Sequence, residues 1–425
     1  MAKKLVSFLG TGDYQETTYV MQDVGEFRSC FVQVALADLL GRQGALDEVV
    51  VLLTAKARER NWAPVGKLRD MAARHAPVPF HDADIPEGRD SDEIWRIFEI
   101  MAGLLGQGDE VILDLTHSLR SIPVIGLACL QYLRVLKGVK LAGLWYGAFE
   151  APDAEGRRPL FDLLPFVELM NWSWAVNELE RFGSSGELCR LIREHAMPLC
   201  EASRGADDDS KRLRNLANVL EDASKSLGAC RGRSLLAVDE KSVPYYESIH
   251  ELVQGIASAP GSLPPLRPLL ELIDHKYSQL DGKGGSRPEV RRGLAAVQWC
   301  LKHGLLQQAC TLLQETCVTW VCLRNTLDWS KREDRELVSA ILGVEARGVS
   351  RGEWNEHLKK RLGTGQKVAD SIPAAFLPLY KKLMQIRNDF NHGGFHEPMK
   401  AKNIELGIKQ SFDALGPMIS STPPD

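Results

Sequence analysis

Much that would classify a protein quickly is missing from this sequence. Its nine cysteines include no C-x-x-C pair, so neither a zinc cage nor a disulfide framework is indicated. An odd number of mostly helix-embedded cysteines suits a reducing cytoplasm. No apolar run approaches the roughly 18–20 residues needed to span a bilayer; the longest, IPVIGLACLQYLRVL, contains Gln131 and Arg134 and reads as a buried helix. The start, MAKKLVSFLGTGDY, has too few apolar residues before its glycines for a secretory signal, and a cytoplasmic protein is expected. A net charge of -4 argues against a protein that coats nucleic acid nonspecifically, although it leaves room for a local basic groove. There is no G-x-G-x-x-G dinucleotide fingerprint, no internal repeat and no low-complexity tract.

What is present divides in two. A chain of 425 residues is too long for one compact core and suggests two or three domains. Over the first 150 residues strand-like and helix-like segments alternate. EVVVLLT (Glu48–Thr54) is apolar on both faces, as in a parallel strand covered on both sides. SDEIWRIFEIMAGLLGQG reads as an amphipathic helix with Ser91 as N-cap and acidic residues in its first turn. This alternation predicts an α/β, Rossmann-like parallel sheet. From about Asn171 onward strand signals fade and the remaining segments are helical by period. The expected domains are 1–170 (α/β, ligand-sensing), 171–285 (helical connector) and 286–425 (all-α).

Two loops in the first part have the character of a ligand site. Open parallel sheets bind ligands beyond the carboxyl ends of their strands. LGTGDY follows the first strand and supplies Gly10, Thr11, Gly12 and Asp13, whose glycines allow close backbone approach and whose Thr offers a hydroxyl and an amide to a phosphate. As a bare pattern it is also a tight turn. ILDLTHSLRSIP supplies Thr116, His117, Ser118 and Arg120 just before a helix N-terminus, where backbone amides and the dipole favour an anion. Ser118 or Ser121 as a plain N-cap is the alternative.

Near the other end stands MQIRNDFNHGG. Two Asn and an Asp within four helical positions cost the helix stability, which invites a use for them. Arg387 and His392 are five apart, about 140° around a helix, whereas Asn388 and His392 share a face. A histidine for proton transfer beside a guanidinium for a developing phosphorane suffices for RNA cleavage by the RNA's own 2′-hydroxyl, without metal. No cluster of Asp, Glu or His in the helical half has metal-ligand spacing. An exposed polar helix end capped by Gly393 and Gly394 is the simpler alternative.

The pair FLGTGDY and DLTHSLRSIP resembles the signatures of CRISPR-associated Rossmann-fold (CARF) proteins with an Asp-x-Thr-His-Gly motif. Asp114, Thr116 and His117 match, and Ser118 stands in the Gly position. VVLLTAKARERNW also resembles the Thr-x-x-Ala stretch of that family. IRNDFNH resembles the Arg-(polar)-x-x-x-His motif of HEPN ribonucleases, which carries a catalytic role to Arg387, Asn388 and His392. AAVQWCLKHGLLQQACTLLQE looks like the entry helix of the same subgroup, with Gln307, Gln308 and Glu315 facing the interior or a partner. The joint resemblance, to the CARF–HEPN effectors of type III CRISPR systems, implies a homodimer or higher homo-oligomer. It implies cyclic oligoadenylate, commonly cyclic tetra-adenylate, as allosteric activator, single-stranded RNA as substrate, and no catalytic cofactor or metal. The competing expectation is a nucleotide-sensing regulator with a helical nucleic-acid- or partner-binding half and no catalysis.

Overall fold

The computed structural model describes residues 2–44, 46–117, 122–236, 243–258, 267–282, 287–395 and 398–420. Its chain divides into two compact units, Met1–Glu168 and Leu169–Asp425.

The first unit is built on a sheet. Its strands are β1 (Lys3–Leu9), β2 (Thr17–Met21), β3 (Gly25–Ser29), β4 (Glu48–Leu53), β5 (Phe80–Asp84), β6 (Glu110–Asp114), β7 (Lys140–Gly147) and β8 (Arg158–Asp162). Among the described residues these form one eight-stranded sheet in the order β3-β2-β8-β7-β6-β1-β4-β5. The run β5-β4-β1-β6-β7 is parallel throughout. From β1 the chain winds outward to β4 and β5, then returns to lay β6 and β7 on the other side. The switch point of this Rossmann-like sheet therefore lies between β1 and β6.

Both faces of the parallel run are apolar because helices cover both. Along β1 the side chains alternate: Leu5 and Leu9 join the core formed with helix Val32–Gly41. Val6 and Phe8 join the opposite core, with Ile97, Met101, Cys129 and Leu133 from helices Ser91–Leu104 and Ile122–Lys137. Each fully buried Leu or Phe contributes about 1.5–3 kcal/mol of transfer free energy.

The structure adds elements to those expected. Beyond β7 the sheet is mixed: β8 pairs antiparallel with β7, β2 parallel with β8, and β3 antiparallel with β2. These strands have five residues each; Tyr19 and Met21 of β2 face inward while Val20 between them is less buried. Five residues with polar positions give too little periodic signal to separate them from a loop. The N-cap of helix Ser91–Leu104 is Asp90, not Ser91: its backbone is extended and its Oδ1 accepts from the Glu93 amide at 2.9 Å. A carboxylate there also meets the positive end of the helix dipole, which a hydroxyl does not.

The second unit is helical. Its central helix, Leu306–Arg324, is buried nearly all round from Ala309 to Cys322. Trp320 stacks on Phe376 with ring centroids 5.3 Å apart, which docks helix Phe376–Asn391 against it. All nine cysteines are unpaired, and burial pushes the Cys300 and Cys310 thiols up to about 12. Such thiols are inert as nucleophiles at neutral pH.

Candidate functional site

At the switch point, side chains far apart in sequence lock two strand ends together. Asp114, fully buried at the end of β6, accepts from Ser7 Oγ of β1 at 2.6 Å. Its other oxygen accepts from the Thr116 amide at 3.0 Å and the Thr116 hydroxyl at 2.6 Å. A buried carboxylate demands such donors. The Thr116 hydroxyl in turn accepts from the Gly147 amide of β7 at 2.8 Å. Thr116 is thereby committed to holding the strand ends and has at most one lone pair left for a ligand.

The turn after β1 is held as firmly. The Gly10 amide donates to Tyr14 Oη at 2.8 Å. Asn61, fully buried in the segment Arg58–Trp62, donates through Nδ2 to the carbonyls of both Gly10 and Gly12 at 2.9 Å. With its carbonyls drawn inward, the exposed segment Thr11–Asp13 has amides that donate to no protein acceptor among the described residues. Such amides are open to an acceptor from outside the chain. Asp13 is turned aside: its carboxylate pairs with Arg60 at 2.8 Å, and that guanidinium holds it below the usual carboxylate range.

His117 closes the site. Its ring meets Tyr14 edge-on at 4.6 Å, and a Cβ on Gly10 would lie 3.6 Å from its carbonyl oxygen. Its Nε2 is buried and has no hydrogen-bond partner among the described residues. Burial pushes the imidazole below its ordinary value, with the Asp114 carboxylate pulling the other way. His117 is thus a neutral hydrogen-bonding group at pH 7 rather than a cation. Gly10, Thr11, Gly12, Thr116 and His117 lie just beyond the neighbouring ends of β1 and β6. Ser118 and Arg120 lie outside the described residues.

In the second unit, helix Phe376–Asn391 ends on His392 as its C-cap. Gly393 and Gly394 follow with φ of +60° and +69°, which favour glycine, and the Gly394 amide reaches back to the Asp389 carbonyl at 3.1 Å. Asn388 and His392 are exposed, one turn apart. Arg387 is half-buried, and its Nη1 donates to Oε1 of Gln314 at 3.3 Å. Gln314 is 2% exposed, on the central helix. Of the other residues singled out, Gln307 is exposed, Gln308 donates to the Gly228 carbonyl at 3.2 Å, and Glu315 pairs with Arg335 at 2.6 Å.

Over 295 residues the chain is 27% identical to "CRISPR-associated protein MJ1674" of Methanocaldococcus jannaschii, a match covering 53% of this chain and 46% of that protein. The chain is a relative of a CRISPR-associated protein. It spans about half the length of this curated relative, and no family model matches it. Among solved structures, Enterococcus italicus Csm6 bound to cyclic hexa-2′-fluoro-hexa-dAMP aligns distantly. It covers 99% of this chain and 94% of its own, with a TM-score of 0.41 and 11% identity. No helix among the described residues is long and apolar enough to cross a membrane.

One residue in each unit carries no motif and was not anticipated: Asn61 beside the Thr11–Asp13 turn and Gln314 beside Arg387. Asn61 stands in the charged run ARERNW and Gln314 in LLQETC, and neither setting marks the residue out in the sequence. Asn61→Ala is expected to leave two carbonyls without their shared donor, at a cost of about 1–3 kcal/mol. Hydrogen exchange should then accelerate at Thr11–Asp13 while the β4 and β6 amides stay protected. Unchanged exchange in the turn would remove Asn61 from the site.

Proposed function

We propose that the protein is a metal-independent endoribonuclease of CRISPR antiviral defence, activated by cyclic oligoadenylate. In this reading residues 1–170 form the CARF sensing domain, 171–285 a connector and 286–425 a HEPN ribonuclease domain. The protein works as a homodimer, in which two His392 side chains line one cleft. The observation that carries the ribonuclease assignment is the helix end that displays His392 to solvent while anchoring Arg387 on buried Gln314. The sensing assignment is supported by the undonated amides of Thr11–Asp13 and by His117 at the neighbouring ends of β1 and β6, and the CRISPR context by the relative.

The chemistry follows from the side chains. A base takes the proton of the ribose 2′-hydroxyl, and the resulting oxygen attacks the adjacent phosphorus. The P–O5′ bond breaks, and an acid returns a proton to the leaving 5′-oxygen. His392 moves protons, Arg387 stabilises the charge that grows on the phosphoryl oxygens, and Asn388 orients the imidazole. The products are a 2′,3′-cyclic phosphate, or the 3′-phosphate from its hydrolysis, and a 5′-hydroxyl. Activator binding shifts the dimer population toward the competent cleft by its differential affinity for that state.

The test is cleavage of a fluorophore–quencher RNA with and without cyclic tetra-adenylate, alongside calorimetric titration of the activator. Stimulated cleavage is expected. His117→Ala and Arg120→Ala should each weaken activator binding, a charge-assisted contact being worth on the order of 1.5–3 kcal/mol, with the unstimulated rate unchanged. Activator binding without any RNA cleavage would instead identify a regulator.

A positioning role for Gln314 is testable in the same assay. Gln314→Leu keeps the volume but removes the acceptor for Arg387, and should lower kcat by roughly tenfold or more with KM little changed, the pattern of a contact that matters in the transition state. Gln314→Glu, which restores an acceptor, should recover most of the rate. Equal losses in both variants would mean that the residue only packs.

A further inference from the structure

Beside the Arg387–Gln314 contact the helical unit holds a cavity of about 300 Å³. It lies among the segment Gly232–Leu236, helix Pro288–Lys302 and helix Leu306–Arg324. Leu235, Ala296, Leu312 and Trp329 give it apolar walls, and Glu315 and Arg335 supply its charge. Its place near Arg387 is supported by two observations. Glu315 follows Gln314, the residue that holds Arg387. Cys230, another wall residue, has a thiol raised chiefly by burial and sensitive to both Arg387 and Glu315.

The carboxylate in this cavity is fixed in place. Arg335 donates to Glu315 Oε2 at 2.6 Å and to the Glu315 carbonyl at 3.1 Å. The same guanidinium donates to Thr319 Oγ1 at 2.9 Å and to the Trp329 carbonyl at 3.2 Å. With its orientation set from four contacts, Arg335 holds the Glu315 carboxylate in one position. Glu315 Oε1 has no protein donor among the described residues. An ionised carboxylate only accepts hydrogen bonds, so the matching ligand presents donors.

We propose that this cavity is a nucleobase subsite of the ribonuclease cleft and that it takes guanine; the inference rests on the ribonuclease reading for its placement beside the cut. A volume of about 300 Å³ lies at the bottom of the range for small-molecule sites, roughly 300–1,000 Å³, and suits one planar heterocycle rather than a longer ligand. Single-stranded RNA is read by splayed bases held in apolar, aromatic-walled slots and hydrogen-bonded along their pairing edges. Guanine offers two adjacent donors there, N1–H and the N2 amino group, which match the oxygens of a carboxylate. Adenine and cytosine place an acceptor nitrogen beside their amino donor, and uracil flanks its one N–H with two carbonyls. Each of those sets a lone pair against Glu315.

The full chain is titrated with guanosine, adenosine, cytidine and uridine 5′-monophosphates, followed by calorimetry and tryptophan fluorescence. The cut positions on a random-sequence RNA are mapped in parallel. Guanosine monophosphate should bind about tenfold to a hundredfold tighter than the other three, with cuts enriched beside G. Glu315→Gln, nearly isosteric and still able to accept from Arg335, should lose both preferences. Trp329→Phe should bind guanosine monophosphate but lose most of the fluorescence change. Equal binding of the four monophosphates, or a guanine preference that survives in Glu315→Gln, would overturn the subsite even if RNA is cleaved. Selective guanine binding that Glu315→Gln abolishes, in a protein that never cuts RNA, would uphold the cavity as a guanine site and overturn the ribonuclease reading alone.

Discussion

Replacing His392 with alanine should lower activator-stimulated RNA cleavage by about 10²–10⁴-fold, the usual worth of a positioned general acid or base. The fold should be left intact. His392 is an exposed C-cap, and substitutions at exposed positions usually change stability by less than about 0.5 kcal/mol. The glycines that actually terminate the helix remain in place. Arg387→Ala should be comparably damaging to the rate but should also cost some stability, because it strands the buried Gln314 oxygen that now accepts from it. Asn388→Ala should be milder than either. The comparison is made by single-turnover cleavage at saturating activator, with thermal melting and activator titration as controls. Wild-type cleavage by the His392→Ala protein would remove the helix end from the chemistry.

The second large effect lies in the substrate. If the nucleophile is the RNA's own 2′-hydroxyl, a single 2′-deoxy or 2′-methoxy nucleotide at the cut site should reduce cleavage there to background. Neighbouring sites on the same strand should stay sensitive. DNA should not be cut. Cleavage should persist in EDTA, since proton transfer by His392 and charge stabilisation by Arg387 meet the requirements of the step. The fragments should carry 2′,3′-cyclic phosphate or 3′-phosphate ends. A metal-activated water gives a different result: loss of activity in EDTA and 5′-phosphate ends. End-group analysis of one cleaved oligonucleotide separates the two, and 5′-phosphate products would overturn the mechanism.

Elements with a local signal were legible in the amino-acid order. The both-faces-apolar run of β4 announced a covered parallel strand, because burial on two sides removes the polar alternation of a surface strand. Strand–helix alternation followed by uninterrupted helical period gave the change from a sheet-based to a helical architecture near residue 170. The two strand-end loops and the helix-end motif were legible because turn glycines and clustered polar groups stand out against apolar periodicity. Residue periodicity, however, does not encode which strand lies beside which.

Only the tertiary structure decided that β1 and β6 are neighbours, and with that the switch point where Gly10–Asp13 meets His117. The hydrogen bonds that build this place join residues far apart in the chain: Ser7 to Asp114, Asn61 to Gly10 and Gly12, and Thr116 to Gly147. The same holds for Arg387 and Gln314 in the helical unit. Folding also reassigned roles within the motifs. Thr116 became a clasp for the strand ends and Asp13 an ion-pair partner of Arg60, while Asn61 and Gln314, which belong to no motif, hold the groups that do. The reason is physical: a polar side chain's role is set by which donors and acceptors surround it once water is excluded, and those neighbours are chosen by chain crossovers that local patterns do not record.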